Sequence, residues 1–110
     1  MPKELRQIIF SHDELTHAVV AHNRIAEDKV LYGDLAACTL GEDLIIRAEC
    51  RIRDGGTVRS LQVNLTEDFT REALIRYCLE NNIPIPRSGS KQLRLIEDEA
   101  CLEITIKPQV

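Results

Sequence analysis

Apolar residues recur along this chain with two different periods, which together predict eight secondary-structure elements. Short segments with alternating apolar positions and many β-branched residues predict strands. Two segments with apolar residues three and four apart predict helices. The predicted order is strand 6–10, helix 12–26, strands 35–40, 44–53 and 57–65, helix 67–81, and strands 91–96 and 100–107.

Each predicted helix has a start signal in the sequence. Ser11 stands three residues before Glu14, the spacing of a capping box, in which a hydroxyl and a carboxylate bind the free N–H groups of the first turn. Thr66 precedes two acidic residues and is expected to begin the second helix. Asn81 and Asn82, followed by Pro84, are expected to end it.

The order strand, helix, strand, strand occurs twice, which predicts an internal duplication. An offset of 55 residues aligns the following pairs: Ser11 with Thr66, Asp13 with Asp68, Ala18 with Ala73, Val19 with Leu74 and His22 with Tyr77. His22 and Tyr77 each lie near the centre of the apolar arc of their helix. One extra residue in the last turn is predicted to align Ile46, Ala48 and Cys50 with Leu102, Ile104 and Ile106.

These patterns predict a single α+β domain over residues 1–110, with pseudo-repeats at about 5–53 and 57–108. We expect a mostly antiparallel sheet of about six strands, with both helices on one face and a pseudo-twofold axis between the repeats.

The hairpin between the third and fourth strands can be tested by its register. A two-residue loop at either Asp54-Gly55 or Gly55-Gly56 keeps the apolar residues of both strands on one face. A three-residue loop places Ala48 opposite Gln62 and separates the two apolar sets. The pattern therefore favours a two-residue loop and leaves its position open.

Composition narrows the possible classes of protein. Aromatic residues make up only 4% of the chain, so the core must be aliphatic. A net charge of −4 argues against a non-specific nucleic-acid binder and favours a soluble protein. No apolar segment has the length of a membrane helix. The N-terminal residues are charged and do not resemble a secretory leader, which indicates a cytoplasmic protein.

Four cysteines, Cys38, Cys50, Cys78 and Cys101, are spread through the chain without a C-x-x-C pair. An even number allows two disulfides, but a reducing cytoplasm favours free and mostly buried thiols. The absence of C-x-x-C also argues against a zinc knuckle or a thioredoxin-type redox motif.

The histidines do not have the spacing of a metal site. His12, His17 and His22 are five residues apart, so on one helix their side chains point in different directions. His12 and His17 are expected to be solvated, and His22 to be a core residue whose ring nitrogen bonds a backbone group. No nucleophile elbow or phosphate-binding glycine loop is present. We therefore predict no catalytic residue, no metal site and no cofactor, and a protein that is not an enzyme.

Two surface features could bind a partner. Arg47, Arg51 and Arg53 lie on the outward face of one strand, where they could hold phosphate or carboxylate groups. Because Glu49 interrupts them and no aromatic residues interleave, an ordinary solvated sheet face is the favoured interpretation. A second basic cluster, of Arg87, Lys91 and Arg94, follows the proline-rich loop, with the same two interpretations.

The second feature is aliphatic. Val20 and Ile75 are equivalent at the offset of 55, and each lies far from the apolar arc of its helix, with Leu79 one turn beyond Ile75. Isolated exposed aliphatic residues are common on monomers. An outward position repeated in both helices nevertheless suggests a surface that meets a second copy of the chain or another protein.

Three functional hypotheses follow from the sequence. The first is a non-catalytic interaction or regulatory module that forms homo-oligomers through its helix surface or an edge strand. The second is a protein that binds nucleic acid or an anionic ligand through the arginine face. The third is an enzyme that uses a Cys–His or Glu–His pair assembled only in space.

Overall fold

The described part of the chain contains eight helices and strands, and each was predicted from the sequence. The computed structural model describes residues 3–26, 29 and 31–106, so the predicted end of the last strand at Lys107 lies outside the described residues. The elements are β1 (Glu4–Phe10), α1 (His12–Ile25), β2 (Asp34–Leu40), β3 (Ile46–Asp54), β4 (Thr57–Leu65), α2 (Glu67–Glu80), β5 (Ser90–Ile96) and β6 (Glu99–Ile106).

Both helices begin as predicted. The Ser11 hydroxyl accepts from the backbone N–H of Glu14 at 3.1 Å, and the Glu14 carboxylate accepts from the backbone N–H of Ser11 at 2.9 Å. Thr66 caps α2 in the same way by accepting from the N–H of Phe69. Both caps satisfy N–H groups that have no partner within the helix, which fixes where each helix starts.

The predicted single sheet of about six strands is wrong: the strands form two antiparallel sheets of three. One sheet has the order β1-β6-β5 and the other has the order β2-β3-β4. Each sheet therefore receives its first strand from one half of the chain and a hairpin from the other half. Apolar alternation shows which face of a strand is buried but does not identify its partner, so the sequence could not reveal this division.

The helices contact each other and strands of both sheets. α1 lies against β1 and β6 of one sheet and against β2 of the other, while α2 lies against β5 and β6. The helix pair thus joins the two sheets, and there is no six-stranded face for it to cover.

The central hairpin confirms the prediction of a two-residue loop, at Gly55-Gly56. Asp54 pairs with Thr57, and Ala48 lies opposite Val63. Gly55 has φ 57° and Gly56 has φ 88°, which are the left-handed values that a type I′ turn requires. The alternative loop at Asp54-Gly55 is not adopted.

Strand pairing gives an alignment of the two halves that differs from the predicted one. Phe10 pairs with Ala100, and Leu65, 55 residues after Phe10, pairs with Ile46. Treating the two ladders as equivalent matches Ile46 with Ala100, an offset of 54, whereas the predicted extra residue in the last turn requires an offset of 56.

The core is aliphatic, as the low aromatic content indicates. Its buried side chains are Phe10, Leu15, Ala18, Val19, Leu31, Leu40, Ile46, Ala48, Cys50, Leu65, Ala73, Leu74, Cys78, Leu93, Ala100, Leu102 and Ile104. Thr70 is buried among them, and its hydroxyl donates to the backbone carbonyl of Thr66 at 3.1 Å. That bond satisfies the buried hydroxyl, which would otherwise be destabilising.

The molecule is elongated, and its surface is large for its mass. It measures 62 × 26 × 20 Å, with a radius of gyration of 15.7 Å, whereas a compact domain of this length has about 13 Å. Its accessible surface is 7566 Å², whereas a monomer of 12.5 kDa exposes about 6200 Å². No helix within the described ranges is long and apolar enough to cross a membrane.

Gly33 provides a test of how closely β2 approaches β3. Gly33 has φ 74°, and an added methyl group would meet the carbonyl oxygen of Arg51. We expect Gly33→Ala to destabilise the protein by at least about 2 kcal/mol more than Gly56→Ala, measured by urea unfolding. Gly56 is the matched control because its φ is also positive but no atom lies within 4 Å of an added methyl group. Equal losses in the free energy of unfolding would show that the close approach of Gly33 to the Arg51 carbonyl does not contribute.

Candidate functional site

The three arginines predicted as a binding face lie on exposed positions of β3, but the structure divides them. Arg47 forms a two-bonded ion pair with Asp43, with Nη2–Oδ2 and Nη1–Oδ1 distances of 2.8 Å and 3.2 Å. The hydrogen bonds from Arg47, and then the backbone N–H of Ile45, lower the pKa of Asp43 to about 2. Arg47 therefore already binds a carboxylate of its own chain.

Arg51 and Arg53 lie together at the other end of the strand. They line a concavity of about 240 Å³ that also includes Asp34, Leu35, Ala36 and Val58. None of the ion pairs between described residues involves either arginine. Asp34 places a negative charge on the same rim, so the local field is weaker than that of two isolated arginines.

The predicted helix surface is partly assembled by the structure. Leu79 is 65% exposed, whereas Ile75 is half-buried and packs against the core. Both line an open concavity of about 310 Å³ with His22, Glu72, Arg76 and Glu80. Val20 is half-buried and is not among the residues that line it. The structure therefore brings two of the three predicted interface residues together.

His22 occupies an unusual environment on the wall of this concavity. Its side chain is only 12% exposed, and its ring meets that of Phe69 edge to face at 4.9 Å. The prediction that a backbone group bonds its ring is wrong, because Nδ1 is buried without a hydrogen-bond partner among the described residues. Nε2 lies 3.8 Å from the Glu72 carboxylate.

The charge state of His22 follows from this environment. Burial is the largest cause that lowers its pKa below 6.5, and the positive charge of Arg76 lowers it further. Glu72 acts in the opposite direction with a smaller effect. The imidazole is therefore neutral near pH 7, and its contact with Glu72 is not a charged ion pair at that pH.

Two contacts between α1 and α2 involve pairs of residues that the offset of 55 relates to each other. The Tyr77 hydroxyl donates to Glu14 at 3.5 Å, and His22 meets Phe69, which aligns with Glu14. The hydrogen bonds from Ser11 lower the pKa of Glu14, and the bond from Tyr77 contributes a smaller part. Because residue 14 meets residue 77 and residue 22 meets residue 69, the two helices are antiparallel.

Three of the four cysteines, Cys38, Cys78 and Cys101, lie in surroundings that disfavour the thiolate. Cys50, Cys78 and Cys101 are buried, Cys38 is half-buried, and all four have free thiols. Burial raises the pKa of Cys38 to about 11, and it also raises the pKa of Cys78 and Cys101. Thiols in this state are weak nucleophiles near neutral pH.

The pair His22 and Glu72 is a Glu–His pair assembled in space, the arrangement named in the third hypothesis. The lining of its concavity includes no serine, threonine or cysteine that could act as a nucleophile. Within residues 3–26, 29 and 31–106, no group of three His, Cys, Asp or Glu side chains could hold a metal ion. The pair alone supplies a proton acceptor without further reacting groups.

The charged residues around Leu79 were not predicted from the sequence to belong to this surface. Glu72, Arg76 and Glu80 are four residues apart and therefore follow one side of α2. This spacing is visible in the sequence, but it becomes informative only when Leu79 and Ile75 are known to lie beside the same concavity. Comparison with protein-family models, curated proteins and solved structures finds no match for this chain.

The lowered pKa of His22 predicts a pH-dependent stability. A histidine whose pKa is lower in the folded state stabilises the fold fully above its unfolded pKa, and this contribution is lost as pH falls below about 6.5. We expect His22→Phe to make the free energy of unfolding fall less between pH 7 and pH 5, measured by urea unfolding. Phenylalanine suits the site because the His22 ring already packs edge to face against Phe69. His17→Phe, at an exposed position, is the control, and an unchanged pH dependence in His22→Phe would contradict the assignment.

Proposed function

We propose that this protein is a non-catalytic interaction module that forms a twofold homodimer through the outer surface of α2. The observation that carries the proposal is the exposed Leu79 beside Ile75 on the rim of a shallow concavity. An aliphatic side chain that is 65% exposed and bordered by charged residues resembles the anchor of a small interface with a polar rim.

The charges along α2 are arranged for a contact between two identical helices. Two copies of α2 can pack antiparallel, related by a twofold axis that passes between them at the level of residue 78. Arg76 of one copy then lies level with Glu80 of the other. Each of these two residues lies two positions along the helix, about 3 Å, from the level of the twofold axis. The symmetry therefore produces the same Arg76–Glu80 pair a second time. Leu79 lies about 1.5 Å from the axis level, so the two leucines meet at the centre.

The surface area supports the same conclusion. The chain exposes about 1400 Å² more than an average monomer of its mass, the difference between 7566 Å² and about 6200 Å². A standard interface buries about 800 Å² on each partner. Dimer formation could therefore remove that area and still leave a normally exposed subunit.

We also propose that the chain is an internal duplication whose two halves have exchanged their first strands. The sheets β1-β6-β5 and β4-β3-β2 have equivalent strand orders under this exchange. Further support comes from paired contacts: Gln7 lies opposite Glu103 in one sheet, and Gln62 lies opposite Glu49 in the other. Both Ser11 and Thr66 cap their helices.

The duplication supports a dimer rather than a larger assembly. At the offset of 55, Leu79 of α2 aligns with Arg24 of α1, which is also exposed. The surface around Leu79 therefore has no equivalent on α1, although Ile25 of α1 is also exposed. A single self-complementary surface closes as a dimer. The four free thiols support a reducing, cytoplasmic location.

Analytical ultracentrifugation tests the dimer. We expect the native chain to sediment as a dimer at micromolar concentration, and Leu79→Asp to raise the dimer dissociation constant at least tenfold, because a carboxylate would be buried at the centre. Val58→Asp is the matched control because Val58 is 57% exposed on the other sheet. A native chain that stays monomeric at high micromolar concentration would exclude the proposal.

Charge reversal tests the predicted register in the same experiment. Arg76→Glu alone should weaken the dimer, because it would face Glu80 of the second copy. The double variant Arg76→Glu/Glu80→Arg should restore it, since the two charges are exchanged together. A double variant as weak as the single one would show that this helix register is wrong.

A second candidate function is the binding of nucleic acid or an anionic ligand through Arg51 and Arg53. The supporting observation is that both line one concavity and take part in no ion pair with a described residue. We expect retention on a heparin column at low salt, with the slope of affinity against salt falling by about one for each arginine changed to alanine. Arg24→Ala is the control at an exposed position. No retention at low salt would exclude this function.

A further inference from the structure

The outer edge of β5 is suited to accept another strand. β5 is an edge strand in the order β1-β6-β5, and it pairs with β6 over Ser90–Ile96 without a shift in register. Its counterpart β2 is also an edge, but a bulge between Leu35 and Ala37 interrupts its register. Bulges discourage an edge from pairing with another chain. Of these two equivalent edges, only β5 presents a regular row of backbone groups.

The edge of β5 opens onto a groove rather than onto a flat surface. An open concavity of about 760 Å³ is lined by the consecutive residues Gly89, Ser90, Lys91, Gln92, Leu93 and Arg94. Side chains of a strand alternate between its two faces, so a cavity lined by successive residues runs along the edge of the strand. The free N–H and C=O groups of β5 therefore face this groove.

The other wall of the groove is formed by α2 and one loop residue. Glu67, Arg71 and Ile75 are four residues apart, so they follow one side of the helix, and Leu44 completes the lining. A second concavity of about 450 Å³ shares Leu44, Leu93 and Arg94 with the first. The second concavity also includes Glu97 and Asp98 of the β5–β6 turn. The first concavity alone follows six consecutive residues, 89–94, which gives room for an extended segment of several residues.

The second concavity adds the acidic Glu42, Glu97 and Asp98, but the groove is basic along residues 89–94. Arg71, Lys91 and Arg94 line the first concavity, whereas Glu67 is the one acidic residue among its described lining. Arg71 is held by Asp68 at 2.7 Å and Arg94 by Glu103 at 3.1 Å, and neither carboxylate lines the groove. These contacts fix the two guanidinium groups at the rim, while the apolar Leu44, Ile75 and Leu93 form the floor.

The other half of the chain provides an internal comparison. Matching the strand pairs of the two sheets aligns Arg71, Lys91 and Arg94 with Thr16, Leu35 and Thr39. All three basic residues thus replace neutral ones in the half whose edge strand is regular. The basic residues and the regular edge strand thus occur together beside β5. The equivalent edge in the first half, β2, has neither feature, so the fold does not require them.

We propose that an extended, acidic segment of a partner protein binds in this groove as a fourth strand beside β5. Backbone hydrogen bonds to β5 supply the affinity, and carboxylates that meet Arg71, Lys91 and Arg94 select the partner. A second copy of the same edge would bring Lys91 and Arg94 close to their own counterparts, so like charges oppose self-pairing. This groove shares Ile75 with the Leu79 surface but none of its other lining residues. Variants at Leu79 and variants at Arg71 and Lys91 therefore test the two proposals separately.

A labelled peptide tests the proposal. The probe is fluorescein-labelled Glu-Val-Glu-Val-Glu-Val, whose alternation places carboxylates on one side of a strand and aliphatic groups on the other. We expect saturable binding by fluorescence anisotropy. The same peptide with alternate backbone amides methylated keeps its charge but cannot pair along a strand, and it should bind at least tenfold more weakly. A lysine-for-glutamate version should also bind at least tenfold more weakly.

Protein variants locate the site. Lys91→Glu/Arg71→Glu should weaken binding of the probe at least tenfold, whereas Arg51→Glu/Arg53→Glu makes the same charge change on the other sheet and should not. Equal binding of the methylated and unmethylated peptides would overturn the proposal in favour of non-specific electrostatics. No binding at millimolar peptide would also overturn it. A change in the sedimentation of the unliganded Lys91→Glu/Arg71→Glu variant would instead identify the occupant as a second copy.

Discussion

The pairing of β1 with β6 and of β4 with β3, each across the two halves of the chain, is the constraint on which the rest of the structure depends. Neither half of the chain can therefore complete a sheet alone. α1 then packs against strands of both sheets, and α2 packs against α1 and against the sheet β1-β6-β5. This arrangement leaves β5 as a regular edge, divides the arginines of β3 from the basic groove, and produces a molecule 62 Å long.

Much of the local structure was predictable because short-range physics determines it. The capping box at Ser11 and the two-glycine turn at Gly55-Gly56 are satisfied by neighbouring residues, and both are observed. The pairing of Phe10 with Ala100 joins residues at opposite ends of the chain, and no local signal encodes it. The predicted single sheet failed for that reason, although almost every strand was placed within two residues.

The candidate sites show the same difference between features set by local sequence and features set by distant contacts. The exposure of Arg51, Arg53 and Leu79 follows from strand and helix periodicity, and the sequence indicates it correctly. The ion pair of Arg47 with Asp43 and the unpartnered Nδ1 of His22 depend on where side chains finally lie. The groove beside β5 could not be predicted, because it requires knowing which strand is an edge and that Ile75 and Leu44 lie across from it.

The pairing of β1 with β6 also has a consequence for synthesis on the ribosome. The sheet β2-β3-β4 consists of adjacent hairpins and can form as soon as β4 has emerged. β1 is made before its partner β6 (Glu99–Ile106), and six other elements are made between the two. β1, with Leu5 and Ile9, must therefore stay unpaired during that interval, and it needs protection from other nascent chains.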